Sequence, residues 1–200
     1  MQRTRSSPWG IRELLTRRPL GRWTLAIGLA VSIALSITLG GELPKPPDGF
    51  SWQSLPELKG AILRPSGWSF LPEVSDDEIK FSEVEPGTGE RATFSISMMR
   101  GSGPRSDAVK LADDFITGLS TALQAEKTWG DTAGPFIMRA GIFRERANKP
   151  DAHRMYSQML VNPKTGTVFV VGFEASVRDW DEKWKVGQVV CRLMLLDDEL

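Results

Sequence analysis

The stretch HRMYSQMLVNPKTGTVFVVGFEAS, His153 to Ser176, decides the fold. Two apolar-rich runs flank NPKTG (Asn162–Gly166), where asparagine, proline and glycine can each supply a special turn dihedral. The pair therefore reads as an antiparallel hairpin. Its second arm, VFVVGFEA, is apolar almost without interruption, as expected of a central strand buried on both faces.

A strand of that kind needs cover on each side, and the neighbouring periodicities supply it. Upstream, EIKFSEVE sets Ile79 and Phe81 against Lys80 and Ser82, and RATFSISMMR sets Phe94, Ile96 and Met98 against serines. PGTG (Pro86–Gly89) separates them, so they form a second hairpin. PFIMRAGIFRER adds a strand before the decisive hairpin. GAILRP and WSFLPEV add short strands on either side of a Pro-Ser-Gly turn. Pro65 ends the ladder for want of an amide hydrogen and Gly67 is free to take positive φ, so Trp68 is re-aimed either to close one end of the core or to dock on a partner.

Two segments change period. In GSGPRSDAVKLADDFITGLSTALQ, Ser106 or Asp107 caps the amino end, and Val109, Ala112, Phe115, Ile116, Leu119 and Leu123 share one helical face. In RDWDEKWKVGQVVCRLMLL, Trp180, Trp184, Gly187 or Val190, Cys191 and Met194 recur at helical spacing, with Asp179, Asp181 and Glu182 at the positive amino end. The order of strands, helix, strands, helix predicts an α+β fold over residues 60–200, an antiparallel β-sheet flanked by helices in an α/β/α sandwich.

The amino end differs in kind. Residues 1–22 hold six arginines (Arg3, Arg5, Arg12, Arg17, Arg18, Arg22) against Glu13, and WTLAIGLAVSIALSITLGG follows without a charge. At ~1.5 Å per residue, residues 23–41 span a bilayer as one transmembrane helix, with Trp23 at the interface and Leu25, Ile27, Leu29, Val31, Ile33, Leu35, Ile37 and Leu39 in the lipid. The arginines hold the amino terminus in the cytoplasm, so the rest of the chain lies on the periplasmic or lumenal side. A cleaved signal peptide is the rival, but its apolar core is shorter and ends at a better small-x-small site than ALS or TLG. Residues 42–59, with ELPKPPDGF at their start, read as a proline-rich tether and lead-in.

Removing residues 1–41 from the 25 basic and 25 acidic residues leaves 19 against 24. This mildly acidic remainder excludes a nucleic-acid surface. A single cysteine, Cys191, excludes an internal disulfide, and with one histidine, His153, it cannot build a zinc site. Neither suits catalysis: His153 lies in the polar loop NKPDAHR with no G-x-S-x-G serine in the chain, and Cys191 lies on an apolar helix face. The acidic runs Asp76, Asp77, Glu78 and Asp197, Asp198, Glu199 offer hard oxygen ligands for calcium or manganese but read as solvated loops. No catalytic, cofactor or metal site is assigned. Arg144, Arg146, Lys149 and Arg154 concentrate positive charge in RERANKPDAHR and, with Trp68, are the candidates for docking a partner.

ILRPSGWSF, the run PFIMRAGIFRER before a hairpin, and VFVVGFEASVRDWDEKWKVGQ together resemble the PsbP-like family, whose fold is shared with the Ran-binding Mog proteins. The resemblance spans Gly60 to Leu196, and the amino-terminal anchor is an addition to the family pattern. It implies a non-enzymatic subunit without cofactor that docks on an integral membrane complex, such as a photosynthetic reaction centre or photosystem, or a respiratory complex. The Ran partnership of the Mog proteins conflicts with a domain across the membrane from the cytosol. An alternative is an extracytoplasmic module holding a small apolar molecule or lipid among Met98, Met99, Met138, Met155 and Met159.

Overall fold

The computed structural model describes residues 43–70, 78–85, 89–100, 105–146 and 152–197. The predicted anchor, Lys149, Pro86 to Thr88 of the first turn, and Asp76, Asp77, Asp198 and Glu199 lie outside the described residues. In chain order the elements are β1 (Phe50–Leu55), a 3₁₀ turn (Pro56–Leu58), β2 (Gly60–Pro65), β3 (Ser69–Phe70), β4 (Glu78–Glu85), β5 (Gly89–Met99) and α1 (Arg105–Ala122). There follow β6 (Gln124–Ala133), β7 (Phe136–Arg144), β8 (His153–Val161), β9 (Val168–Ser176), α2 (Trp180–Arg192) and β10 (Leu195–Leu196). Among the described residues no helix is long and apolar enough to cross a membrane.

Seven strands form one antiparallel sheet in the order β3-β4-β5-β9-β8-β7-β6, with β9 at its centre. The β8–β9 hairpin closes as its sequence demands: Gly166 takes φ 77°, Asn162 N–H donates to Thr167 O (2.8 Å), and Asn162 Oδ1 accepts from Lys164 N–H (2.8 Å). Along β9 the pleat sends Val168 and Val170 into one core and Phe169, Val171, Phe173 and Ala175 into the other. That alternation makes the uninterrupted apolar run necessary.

The first core lies under α1, whose Ala112, Phe115, Ile116 and Leu119 meet Phe143, Met159, Val161, Val168 and Val170. The second holds Trp68, Phe94, Ile96, Phe173, Trp180, Val190 and Cys191, together with Leu55, Leu58 and Ile62. The last three come from β1, β2 and the turn between them; these strands belong to a separate sheet, β1-β2-β10, which shares the α2 layer. One layer is therefore α1, the middle is the large sheet, and the outer layer on the other side mixes helix and strand.

Three elements depart from the sequence expectation. Phe50–Leu55, read as tether and lead-in, is β1, paired residue for residue with β2. Gln124–Ala133, given no strand in the sequence reading, is the edge strand β6. Leu195 and Leu196, read as the end of the last helix, leave it to pair with Ala61 and Gly60. Gly60 permits this, because a Cβ there would lie 2.5 Å from the Leu195 carbonyl oxygen. The methionines do not gather into one pocket either: Met98 and Met138 fill the α2-side core, while Met99, Met155 and Met159 belong to the α1 side.

Candidate interaction surface

Strand register assembles the charged end of the sheet. Gln124 pairs with Arg144, Arg144 with Arg154, and His153 with Ser176, so residues far apart in sequence become cross-strand neighbours. Each basic candidate then meets a different fate. Arg146 reaches back to the end of α1, where its Nη2 donates to Thr121 O (2.9 Å) and Leu123 O (3.3 Å), satisfying carbonyls the helix leaves open. Arg154 places Nε 2.8 Å from Glu126 Oε2 and also donates Nη2 to that oxygen. Its guanidinium stands 4.9 Å from the Trp180 ring centroid, with Asp181 at 3.7 Å. Arg144 makes no ion pair among the described residues.

His153 is held between two glutamates. Its Nδ1 lies 2.7 Å from Glu174 Oε1, and its backbone N–H donates to Glu145 Oε2 (3.0 Å). Leu123, Phe143 and Met155 complete the shallow recess around it. These lining groups offer carboxylates and apolar surface, with no nucleophile beside the imidazole. Cys191 is buried, and burial pushes its thiol far above the ordinary range, which suits a packing role. Tyr156 is raised for the same reason, and its hydroxyl donates to Gln158 Oε1 in the core.

A second charged group marks the start of α2. Asp179 accepts from Ser176 Oγ (3.0 Å) and pairs with Arg178 (3.4 Å) and Arg91 (3.7 Å). Desolvation alone would raise its carboxyl, but the hydrogen bonds from Arg178 and Ser176 and the charge of Arg91 outweigh it, so the net shift is downward. Lys183 is buried yet pairs with Glu83 (2.8 Å) and Glu182 (3.0 Å). Burial pulls the amine down, and those two carboxylates pull it further up.

The Asp179 shift has a testable sign. Its folded carboxyl titrates below the ordinary value of 3.8, so its contribution is complete above that pH and fades as pH falls through the depressed value. Asp179→Asn is therefore expected to melt at lower temperature than the parent at pH 7 and to show a flatter acid limb. The two melting curves should draw together as pH falls below 3.8, as followed by circular dichroism; an offset that does not shrink with acidification would refute the linkage.

Trp68 lies elsewhere. Its backbone N–H donates to Pro65 O (3.3 Å) across the turn that Gly67 makes possible at φ 82°, and its ring stacks on Phe173 (centroids 6.4 Å). At 7% exposure it belongs to the core rather than to any surface. The structure thus brings Arg144, Arg146 and Arg154 to one end and separates Trp68 from them. Glu126, which neutralises Arg154, escaped sequence reading because nothing marked its segment as a strand. The resulting surface carries interleaved charges of both signs, suited to register-specific docking rather than to long-range attraction.

No protein-family model matches the chain, and no curated protein matches it. Among solved structures it is similar to LpqN, involved in cell envelope biogenesis of Mycobacterium tuberculosis, with 17% identity, coverage of 76% of this chain and 87% of that one, and a TM-score of 0.53. It is also similar to cyanobacterial PsbP (CyanoP) from Synechocystis, with 11% identity, coverage of 79% and 98%, and a TM-score of 0.50. The Ran-binding protein Mog1p of Saccharomyces cerevisiae aligns at 13% identity over 70% of this chain and 84% of that one, with a TM-score of 0.46. At such identities the likeness is one of fold, and with LpqN and CyanoP it supports the antiparallel, PsbP-like α+β architecture expected from the sequence.

Proposed function

We propose that the chain is a non-catalytic accessory subunit whose α+β domain docks on a larger membrane complex. Residues 23–41 anchor it in the bilayer, residues 1–22 remain in the cytoplasm, and the domain lies on the periplasmic or lumenal side. The observation that carries this reading is the charged end of the large sheet. There His153, Arg146, Arg154 and Asp179 are each engaged by structural partners, while Arg144 stays available beside them. A surface so pre-ordered presents a fixed pattern to a protein partner and no activated group to a substrate. The shared fold with CyanoP favours a photosynthetic complex as that partner, and the shared fold with LpqN, a cell-envelope protein, favours a role at the envelope.

Full-length protein, tagged at its carboxyl end and extracted from its native membrane in mild detergent, is expected to emerge in fixed stoichiometry with integral membrane proteins. Arg144→Glu should release those partners while the protein stays in the membrane fraction. Recovery of the unmodified protein as a lone monomer would overturn the proposal.

A further inference from the structure

The described chain is fastened to its own domain almost immediately after the apolar span. That span closes at Gly41, and by Pro44 the backbone carbonyl already accepts a hydrogen bond from Trp52 Nε1 on β1 (2.5 Å). Two more bonds fix the entry, Phe50 N–H to Pro47 O (3.1 Å) and Ser66 N–H to Gly49 O (2.8 Å). The step from Gly41 to Pro44, fully extended, reaches about 10 Å. A domain tied there has no slack with which to stand away from a bilayer.

The groups at this corner suit a headgroup layer. Leu43 is the exposed large hydrophobic among the described residues, at 39%. Lys45 is exposed beside it, and the indole of Trp52 is half-buried with its N–H engaged. Arg64, paired with Ser51, points to the other face of the small sheet from Trp52 and takes no part. Lys45 is offset by Asp48, so tether length and apolar tips, rather than net charge, decide the contact. On the other side of the large sheet lies α1, two layers and about 20 Å further from the small sheet.

We propose that the β1 corner, comprising Leu43, Lys45 and Trp52, rests on the phospholipid headgroups of the membrane holding the chain's own anchor, with α1 turned away. The inference rests on the anchor reading above. It fixes which face remains open to a protein partner.

The test uses the full chain in proteoliposomes of phosphatidylcholine and phosphatidylglycerol, part of the lipid bearing a nitroxide on its headgroup. A fluorophore is attached at Lys45→Cys, Ser54→Cys or Lys110→Cys, the second exposed on the Trp52 face of β1 and the last on α1. Native Cys191 is buried and does not compete for the label. Quenching severalfold stronger at positions 45 and 54 than at 110 is expected. Equal quenching at all three, or stronger quenching at 110, would overturn the proposal. Protein that floats with the lipid but is unquenched at 45 and 54 overturns it while sparing the anchor. Protein that does not float overturns both.

Discussion

Phe173→Ala is expected to destabilise the domain by about 3–5 kcal/mol, the range for deleting a buried phenylalanine ring. Phe173 is 1% exposed on the central strand. Its ring centroid lies 6.4 Å from that of Trp68, 5.7 Å from Trp180 and 5.4 Å from Trp184, so one side chain joins the large sheet to α2 and to the turn after β2. Neighbouring side chains cannot shift easily to fill the gap, because they are rigid indoles packed against one another; Trp180 and Trp184 stack at 5.2 Å. Against a total of about 5–15 kcal/mol for a domain, the loss leaves little margin. Guanidinium titration of the full chain in detergent, followed by tryptophan fluorescence, measures it. A loss under about 1 kcal/mol would mean that the second core is not built around this ring.

The same substitution at two helical glycines is expected to act in opposite directions. Gly187 on α2 is buried, and a Cβ there would meet Phe173 Cδ2 at 2.7 Å and Trp184 Cε3 at 2.8 Å. Both rings are wedged by other aromatics, so Gly187→Ala should cost about 1–3 kcal/mol by overpacking. Gly118 on α1 has nothing within 4 Å of the corresponding position. There Gly118→Ala should gain about 0.4–1 kcal/mol, because alanine loses less backbone freedom on entering a helix. Thermal melts of both variants check the pair. Destabilisation at Gly118, or neutrality at Gly187, would contradict the packing described.

The elements legible in the sequence are those whose two faces see different solvents. α1 carries a full apolar stripe because it covers a sheet with one side only, and Val109, Ala112, Phe115, Ile116, Leu119 and Leu123 all lie in or against that core. β9 was legible for the converse reason, being covered on both faces. β6 was not. Glu126, Lys127 and Asp131 stand exposed on an edge strand largely open to water, and hydrogen bonding to β7, not burial, holds it in place. β1 was masked by prolines on either side, and its pairing with β2 is a tertiary choice. Leu195 and Leu196 fit a helical period equally well; the absent side chain of Gly60 draws them into a strand instead.

The candidate site was legible as composition and not as geometry. The arginines of RERANKPDAHR do converge, because β7 and β8 pair in a register that sets Arg144 beside Arg154. That Arg154 is bound to Glu126, 28 positions away, followed only from the unread strand. Trp68 reads from sequence as a core residue first and a docking residue second, and the deciding contact, its stack on Phe173, joins two segments that no local pattern links.

The central claim concerns sidedness, and limited trypsin digestion of sealed vesicles oriented with their outer face exposed addresses it most directly. A carboxyl-terminal tag should be lost from intact vesicles while an epitope ahead of Arg3 survives until detergent is added. Survival of the carboxyl-terminal tag, with loss of the amino-terminal epitope, would put the domain in the cytoplasm and contradict the proposed role.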